Sequence, residues 1–535
     1  MITAKEIDFL KAHEQLEKMC EFMQQASEQG QRIDQVERGL FPQAMEMCLH
    51  LLSAFVEAHG DGDEGAEIET DDDPLRRLKE PHDKRYLSIF GELIISRVVY
   101  GTREGQAIEW VPLDAILGLP AGENSYVLED WLERLCVKEA YGEAVSDLRA
   151  WLGTTVSVRT AEGINRKLAT YSEGYRLSQG LPSPEEDEEI LVVSADGKGV
   201  PMRRPLEQRL REEGVATPAS LLKTPQPASP EEAGSSHRRN KKQMAYVGAV
   251  YSIAPFVRTA EDVIDEVLRR KRSTERPSPV GKHLWAQMTR LAEGQVWRAV
   301  PRLFIDMAVE RHERDPERRK TLVCLMDGER QFWDLQQEWF GRAVGILDLF
   351  HALKRLWLVA YCVHAEQSSA ASEFVTHHLR MLLEGKVGYV IRNFRRLIKQ
   401  HNLRGTKKKT VESAITYYQN NRAHMRYDEY LAAGYPIASG VIEGACHHFV
   451  KDRMEGAGMR WELEGAQAAT SQLVCPNPCH FGWPVVPRKV SGLLPPKARP
   501  KALKPEARPF YAMALKMGRN QSIGPNKQGM LGQIF

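Results

Sequence analysis

The chain has 535 residues, too many for one compact core, so two to four domains are expected. An apolar share of 42% and a charged share of 27% fit a globular chain and exclude a fibrous or wholly disordered one. A net charge of +1 excludes a global basic field, and with no apolar run of about 18 residues no membrane span is expected.

In chain order, residues 1–58 read as two helices, the first polar and amphipathic rather than a signal peptide. Residues 61–73 carry eight acids and no base, which predicts a solvated linker. "RYLSIFGELIISRVVYG" predicts a hairpin around Gly91. Residues 126–171 predict three helical segments, with Gly153 separating the last two and Ser157 or Thr160 capping the third. Such a pair suits either an ordinary helical domain or a helix-turn-helix offering Arg159, Asn165, Arg166 and Lys167 to DNA. "ILVVSAD" predicts a buried strand ending at Asp196, and 201–241 a disordered insertion. "QMAYVGAVYSI" is a second strand, and helices are expected over 259–315 with a break near 277–280. "TLVCLMD" and "AVGILD" are strands ending at Asp327 and Asp348, and 349–430 is helical throughout. Eight scattered cysteines suggest reduced thiols in a cytosolic protein, and the close pair Cys475 and Cys479 before His480 lacks the second pair a zinc site needs.

Two strands end alike, in Asp196-Gly197 and Asp327-Gly328. Asp-Gly is a common turn dipeptide. Two such ends on neighbouring strands, however, bring two carboxylates to one spot beyond the sheet, where only a cation relieves their repulsion. Oxygen ligands of this kind suit Mg²⁺ or Mn²⁺, and the glycines would let a phosphate backbone come close. Asp348, three residues before His351, is either a helix N-cap or a support to that spot. Glu443 reads first as a carboxylate in a helix's first turn behind Ser439. With two strand aspartates as partners it becomes a third ligand, with His447 one turn on along the same face. The basic stretch 380–410 has ten Lys or Arg against one acid, and makes Arg392, Arg395, Arg396, Lys399, Lys407 and Lys408 candidate phosphate contacts. Lys198, Lys451, Arg453 and Arg460 either meet phosphates too or are solvated charges.

"VVSADGKGVPM", "LVCLMDGERQFW" and "YPIASGVIEGACHHFVKDRMEGAGMRW" resemble the Asp-Asp-Glu signature of bacterial ISKra-type insertion-sequence transposases, and "DLFHALKRLW" resembles an Asp-x-x-His element of Mutator-like relatives. The resemblance covers roughly residues 80–470. It implies an α/β fold with an RNase H-like mixed sheet, a large helical insertion and a mainly helical N-terminal DNA-binding region. The boundaries it suggests are 1–80 (helices and acidic linker), 81–180 (hairpin and helix-turn-helix-like domain), 188–348 with 435–474 (catalytic core) and 349–434 (insertion). It implies that Asp196, Asp327 and Glu443 are catalytic and hold two Mg²⁺ or Mn²⁺ ions, with Asp348, His351 and His447 supporting them. The expected partners are double-stranded DNA (terminal inverted repeats and target) and further copies of the chain on paired ends, with no membrane. The expected location is the bacterial cytoplasm, at the nucleoid. Residues 475–535 depart from that pattern, with ten prolines and ten Lys or Arg against one acid, as a frameshifted end or a basic tail would. The alternatives are a nuclease without strand transfer and a non-catalytic DNA-binding remnant.

Overall fold

The computed structural model describes residues 7–69, 74–102, 108–172, 174, 180–183, 185–203, 242–268, 276–292, 295–456 and 459–473. The tail at 475–535 and nearly all of the insertion at 201–241 lie outside the described residues. The described chain forms two compact units that divide between Tyr171 and Ser172.

The first unit begins with α1 (Leu10–Glu28) and α2 (Ile33–Glu57), as expected from their periodicity. They pack closely because Gly39 admits the Phe22 ring where any Cβ would collide with it. By length and composition α2 is apolar enough to cross a membrane, although its apolar residues are spread among few charges rather than in one run. The acidic stretch is not simply a solvated linker. Glu67–Ile68 forms β1, paired with β2 (Leu75–Arg77), which pairs with β5 (Tyr100–Gly101). Asp63 is drawn in by Arg77 at 2.6 Å, and the Tyr100 hydroxyl donates to the Gly65 carbonyl at 2.9 Å. The acids therefore find local partners that composition does not reveal. β3 (His82–Ser88) and β4 (Gly91–Arg97) make the predicted hairpin, with Gly91 at φ 138°.

After α3 (Pro112–Leu117), helices α4 (Tyr126–Lys138), α5 (Tyr141–Leu152) and α6 (Val158–Ala169) close round a core of Leu128, Leu132, Leu148 and Ile164. Gly153 ends α5 in the left-handed region at φ 67°, and the Ser157 hydroxyl caps α6 by accepting from Thr160 N. Of the candidate DNA contacts here, Arg159 and Arg166 are exposed. Asn165 is buried and Lys167 reaches back to buried Glu129 at 2.9 Å, so neither is poised for a groove.

The second unit is built on one five-stranded mixed sheet in the order β12-β11-β6-β7-β8. The central strand β6 (Ile190–Pro201) is flanked by antiparallel β7 (Lys242–Ile253) on one side and parallel β11 (Thr321–Met326) on the other. β12 (Val344–Leu347) lies parallel beyond β11, and β8 (Val280–Met288) antiparallel beyond β7. Val192 and Val193 of β6 point to opposite faces and both are fully buried, as the unbroken apolar run predicted. Two expectations are corrected. β6 does not end at Asp196, because β7 continues to pair with it from Asp196↔Val247 to Pro201↔Lys242. Residues 280–297 are not helical: α7 (Ala260–Val267) is followed by β8, a small ribbon of β9 (Arg290–Ala292) and β10 (Gln295–Trp297), and only then α8 (Ala299–Arg314). For β8, free pairing groups on the edge of β7 outweigh the weak local helical signal, while β9 and β10 pair with each other.

α8 and α9 (Arg330–Phe340) cover one face of the sheet through Leu303, Phe304, Met307 and Phe332. From β12 the chain runs helically through α10 (Leu349–Val363), α11 (Ser369–Leu383), α12 (Val387–Gln400), α13 (Gly405–Asn421) and α14 (Tyr427–Ala432), as predicted. It returns to the sheet at α15 (Gly440–Ala445), continues as a π-helical turn at Cys446–Asp452, and finishes in α16 (Leu463–Leu473). Gln467 of α16 caps the edge strand by accepting from Met288 N at 2.7 Å.

Candidate metal centre at the strand ends

The parallel register fixes the site. The last pairs are Ala195↔Met326 between β6 and β11, and Met326↔Leu347 between β11 and β12. Asp196, Asp327 and Asp348 each stand one residue past that line. Neighbouring strands lie about 4.8 Å apart, so equal register puts the carboxylates side by side at the C-terminal ends of the parallel strands.

The three aspartates then diverge. Asp348 turns away to cap α10. Its Oδ1 accepts from Phe350 N at 2.7 Å and its Oδ2 from Ser439 N at 2.8 Å, so it also ties α10 to the segment leading into α15. The N-cap reading of Asp348 therefore holds. His351, on the first turn of α10, comes forward instead. Ligand atoms of Asp196, Asp327 and His351 all lie within 4.8 Å of one another. Among the described residues Glu443 does not join that group. It sits exposed on α15, a helix packed against β6 and β7. Ser439 does stand at the cap position of α15, but its hydroxyl makes no capping bond. The His447 side chain lies outside the described residues.

The electrostatics follow from burial and like charge. Asp327 accepts from Glu329 N at 2.9 Å, yet burial and the adjacent Asp196 push its carboxyl up to about 7. Burial disfavours the charged imidazole of His351. The pull of Asp348 and the charges of Asp196 and Asp327 outweigh it and raise His351 to about 9. Its Nδ1 is buried 3.9 Å from Asp348, too far for a hydrogen bond, and has no hydrogen-bond partner. Two mutually repelling carboxylates beside a buried, unsatisfied imidazole nitrogen fit a divalent cation.

The glycines serve the fold rather than an approaching backbone. Gly328 has φ 89°, and a Cβ there would stand 2.8 Å from Leu347 Cδ1 and 3.0 Å from both Asn421 Oδ1 and the Tyr417 hydroxyl. That hydroxyl donates to the Asp327 carbonyl at 2.6 Å, so α13 buttresses the turn. At Gly197 a Cβ would meet Met244 Cε at 2.7 Å. Gly440 and Gly444, by contrast, face open space.

The sequence reading missed one neighbour. Cys446 is buried at the start of the π-helical turn, which packs against β6. Burial and the Asp196 charge hold that thiol well above its ordinary range. A cysteine three residues past a suspected ligand was the available signal.

The basic candidates separate by burial. Val387, Val390, Ile391 and Phe394 bury one face of α12, leaving Arg392, Arg395, Arg396 and Lys399 on the exposed face. Arg392 stacks on exposed Tyr389 with its guanidinium 5.0 Å from the ring centre. Lys407 and Lys408 are exposed on α13, Lys408 lying 3.7 Å from Glu412. Lys451 and Arg460 are exposed. Lys198 shares Glu455 with Lys242, at 3.8 and 2.8 Å. Arg453 is corrected: it is 2% exposed and stacks at 4.8 Å on Trp461, so it packs the core rather than meeting phosphate.

No protein-family model matches the chain, and no curated protein matches it.

Proposed function

We propose that the chain is a DDE-type DNA transposase, which cleaves at the ends of an insertion sequence with a divalent cation and joins the freed end to target DNA. The observation that carries this reading is the grouping of Asp196 and Asp327, level in the register of adjacent parallel strands, with His351 of α10. The sheet order supports an RNase H-like core: a first strand in the middle, an antiparallel meander on one side, two parallel strands on the other. The helical stretch between β12 and Glu443 agrees with the insertion that the resemblance implies.

Asp196, Asp327 and His351 would hold Mg²⁺ or Mn²⁺, and Glu443 is the further carboxylate that the motif supplies. Bound divalent ions activate an attacking oxygen and neutralise the leaving one. The chain's own groups do the rest. The register of β6 and β11 fixes the carboxylates, and Tyr417 holds the Asp327 turn from behind. The exposed face of α12 and Lys451 with Arg460 supply cationic contacts for the DNA backbone. Paired DNA ends call for more than one copy of the chain, acting at the bacterial nucleoid.

An imidazole where a third carboxylate was expected favours a second reading, a nuclease of the same core without strand transfer. One experiment separates them. Purified protein is incubated with Mn²⁺ or Mg²⁺, a duplex carrying the flanking terminal repeats, and a target plasmid, beside Asp327→Asn. Cleavage and joined product, both falling about a hundredfold or more in the variant, are expected. Cleavage without joining supports the nuclease. Equal cleavage by both proteins refutes the site, and binding without cleavage identifies a non-catalytic remnant.

A further inference from the structure

We propose that α1 and α2 form a docking face for a second copy of the chain, joining two N-terminal helix pairs face to face in the absence of DNA. The inference stands apart from the transposase reading, although it would supply the second copy that paired ends call for.

The two helices run antiparallel, with Phe22 against Gly39 and the Gln15 side chain reaching the Gln43 carbonyl. On its other flank α2 packs on β4, where Leu49 stands over Gly91. Those contacts leave α2 two further sides of opposite character. One carries Gln35, Glu46, Ser53 and Glu57. The other carries Phe41, Ala44, Cys48, Leu51 and Phe55, whose alternating spacing of three and four is the seam pattern of packed helices. α1 repeats it with Phe9, Leu16 and Met23, each seven residues from the last. At 3.6 residues per turn, each stripe lies about a quarter-turn round from the residues that face the other helix. In antiparallel helices those rotations bring both stripes to the same side of the pair. Large apolar side chains stand open there: Phe9 is 43% exposed, Leu16 48%, Met23 44%, Phe41 50%, Leu51 39% and Phe55 47%. Together they expose about 600 Å² per copy, so a face-to-face pair would bury roughly twice that, above the ~1,000 Å² that a stable interface needs.

A second copy fits this face best. It brings an identical two-helix surface, so seam meets seam about a two-fold axis. Ala44 and Cys48 leave gaps in the row of large side chains, into which those of the other copy can pack. No formal charge intrudes, because Glu46, the one Asp, Glu, Lys or Arg between Arg38 and Glu57, lies on the far side of α2. A lipid surface fits less well. Residues 10–57 carry eight acids against four Lys or Arg, the wrong sign for anionic headgroups.

The test follows the full-length chain without DNA by light scattering and sedimentation across concentration, beside the double variant Phe41→Gln, Phe55→Gln. The parent is expected to be a dimer, and the variant to dissociate at a concentration higher by a hundredfold or more, with its circular dichroism unchanged. Should the variant fail to fold, alkylation of Cys48 in the parent by a maleimide decides, read by peptide mapping. Its rate should fall about tenfold as the chain is concentrated through the dimerisation range, and a rate independent of concentration would overturn the proposal. A dimer that survives in the folded double variant overturns it too. So does a monomeric parent, whether the face then proves to hold the chain's own tail or lipid, the latter read by flotation with vesicles of equal parts phosphatidylcholine and phosphatidylglycerol. None of these readouts involves cleavage. Failure of the dimer would leave the transposase reading standing, and the reverse also holds.

Discussion

Asp327 and His351 are both raised in the folded chain, so both make it less stable as pH rises, each in its own window. The Asp327 carboxyl titrates at about 7 in the folded chain against an ordinary 3.8, so the unfolded state loses its proton first. Between those values rising pH therefore favours unfolding. His351 titrates at about 9 against an ordinary 6.5; its stabilising charge is complete below 6.5 and is lost as pH climbs through 9. Without divalent cations, Asp327→Asn should raise stability at pH 7 by about 1–2 kcal/mol and flatten the fall between pH 4 and 7. Calorimetric melting across pH measures this, and parallel curves for the two proteins would sink it. Gly328→Ala should act oppositely. It forces a Cβ into a left-handed residue 2.8 Å from Leu347, at a cost of about 2 kcal/mol or more, read as a lowered denaturation midpoint. The two aspartates were readable because an apolar run before Asp-Gly marks a buried strand, although β6 runs on past Asp196. The part played by His351 was not, since nothing local says that the imidazole comes forward while Asp348 turns back. Arg453 shows the same limit: a basic residue near a site looks like a phosphate contact until its neighbour proves to be Trp461.

The helical stretch between α10 and α14 is tied to the sheet at several points. The Tyr417 hydroxyl reaches the Asp327 carbonyl, that of Tyr427 the Leu347 carbonyl at 2.9 Å, and that of Tyr430 the Gly345 carbonyl at 3.2 Å. Asp348 joins its beginning to its end through Ser439, 91 residues later. Asp348→Ala removes both the α10 cap and this tie. It should cost about 2 kcal/mol, with Asp348→Asn recovering part of the loss; equal effects of the two would argue against a hydrogen-bonding role. Tyr417→Phe should cost about 1 kcal/mol by chemical denaturation and, on the proposed transposase reading, slow cleavage more than it weakens DNA binding. Helices here were readable from periodicity and length. β8 was not, because its strand character comes from the free edge of β7 rather than from its own residues. The continuation of β6 past Asp196 has the same origin.

On the proposed transposase reading, the uneven charge bears on how the chain would meet DNA. The exposed row Arg392, Arg395, Arg396 and Lys399 should govern salt dependence. Replacing each by Gln is expected to lower the slope of log affinity against log salt by about 1. Fluorescence anisotropy with a random duplex checks this, and an unchanged slope in the fourfold variant would remove α12 from the interface. Fold class was readable from the alternation of buried strands and helices. Which strands adjoin was not, since register is a property of pairs.

The register has one more consequence, for the order in which the chain assembles. β7 and β8 are consecutive strands, whereas β6 finds β11 across 131 positions, from Ser194 to Leu325. Contacts that distant are slow to close, so the meander should condense early and the parallel strands dock late. Asp196 and Asp327 then meet only as the last strands settle. Capture of a cation would thus report the end of folding rather than start it.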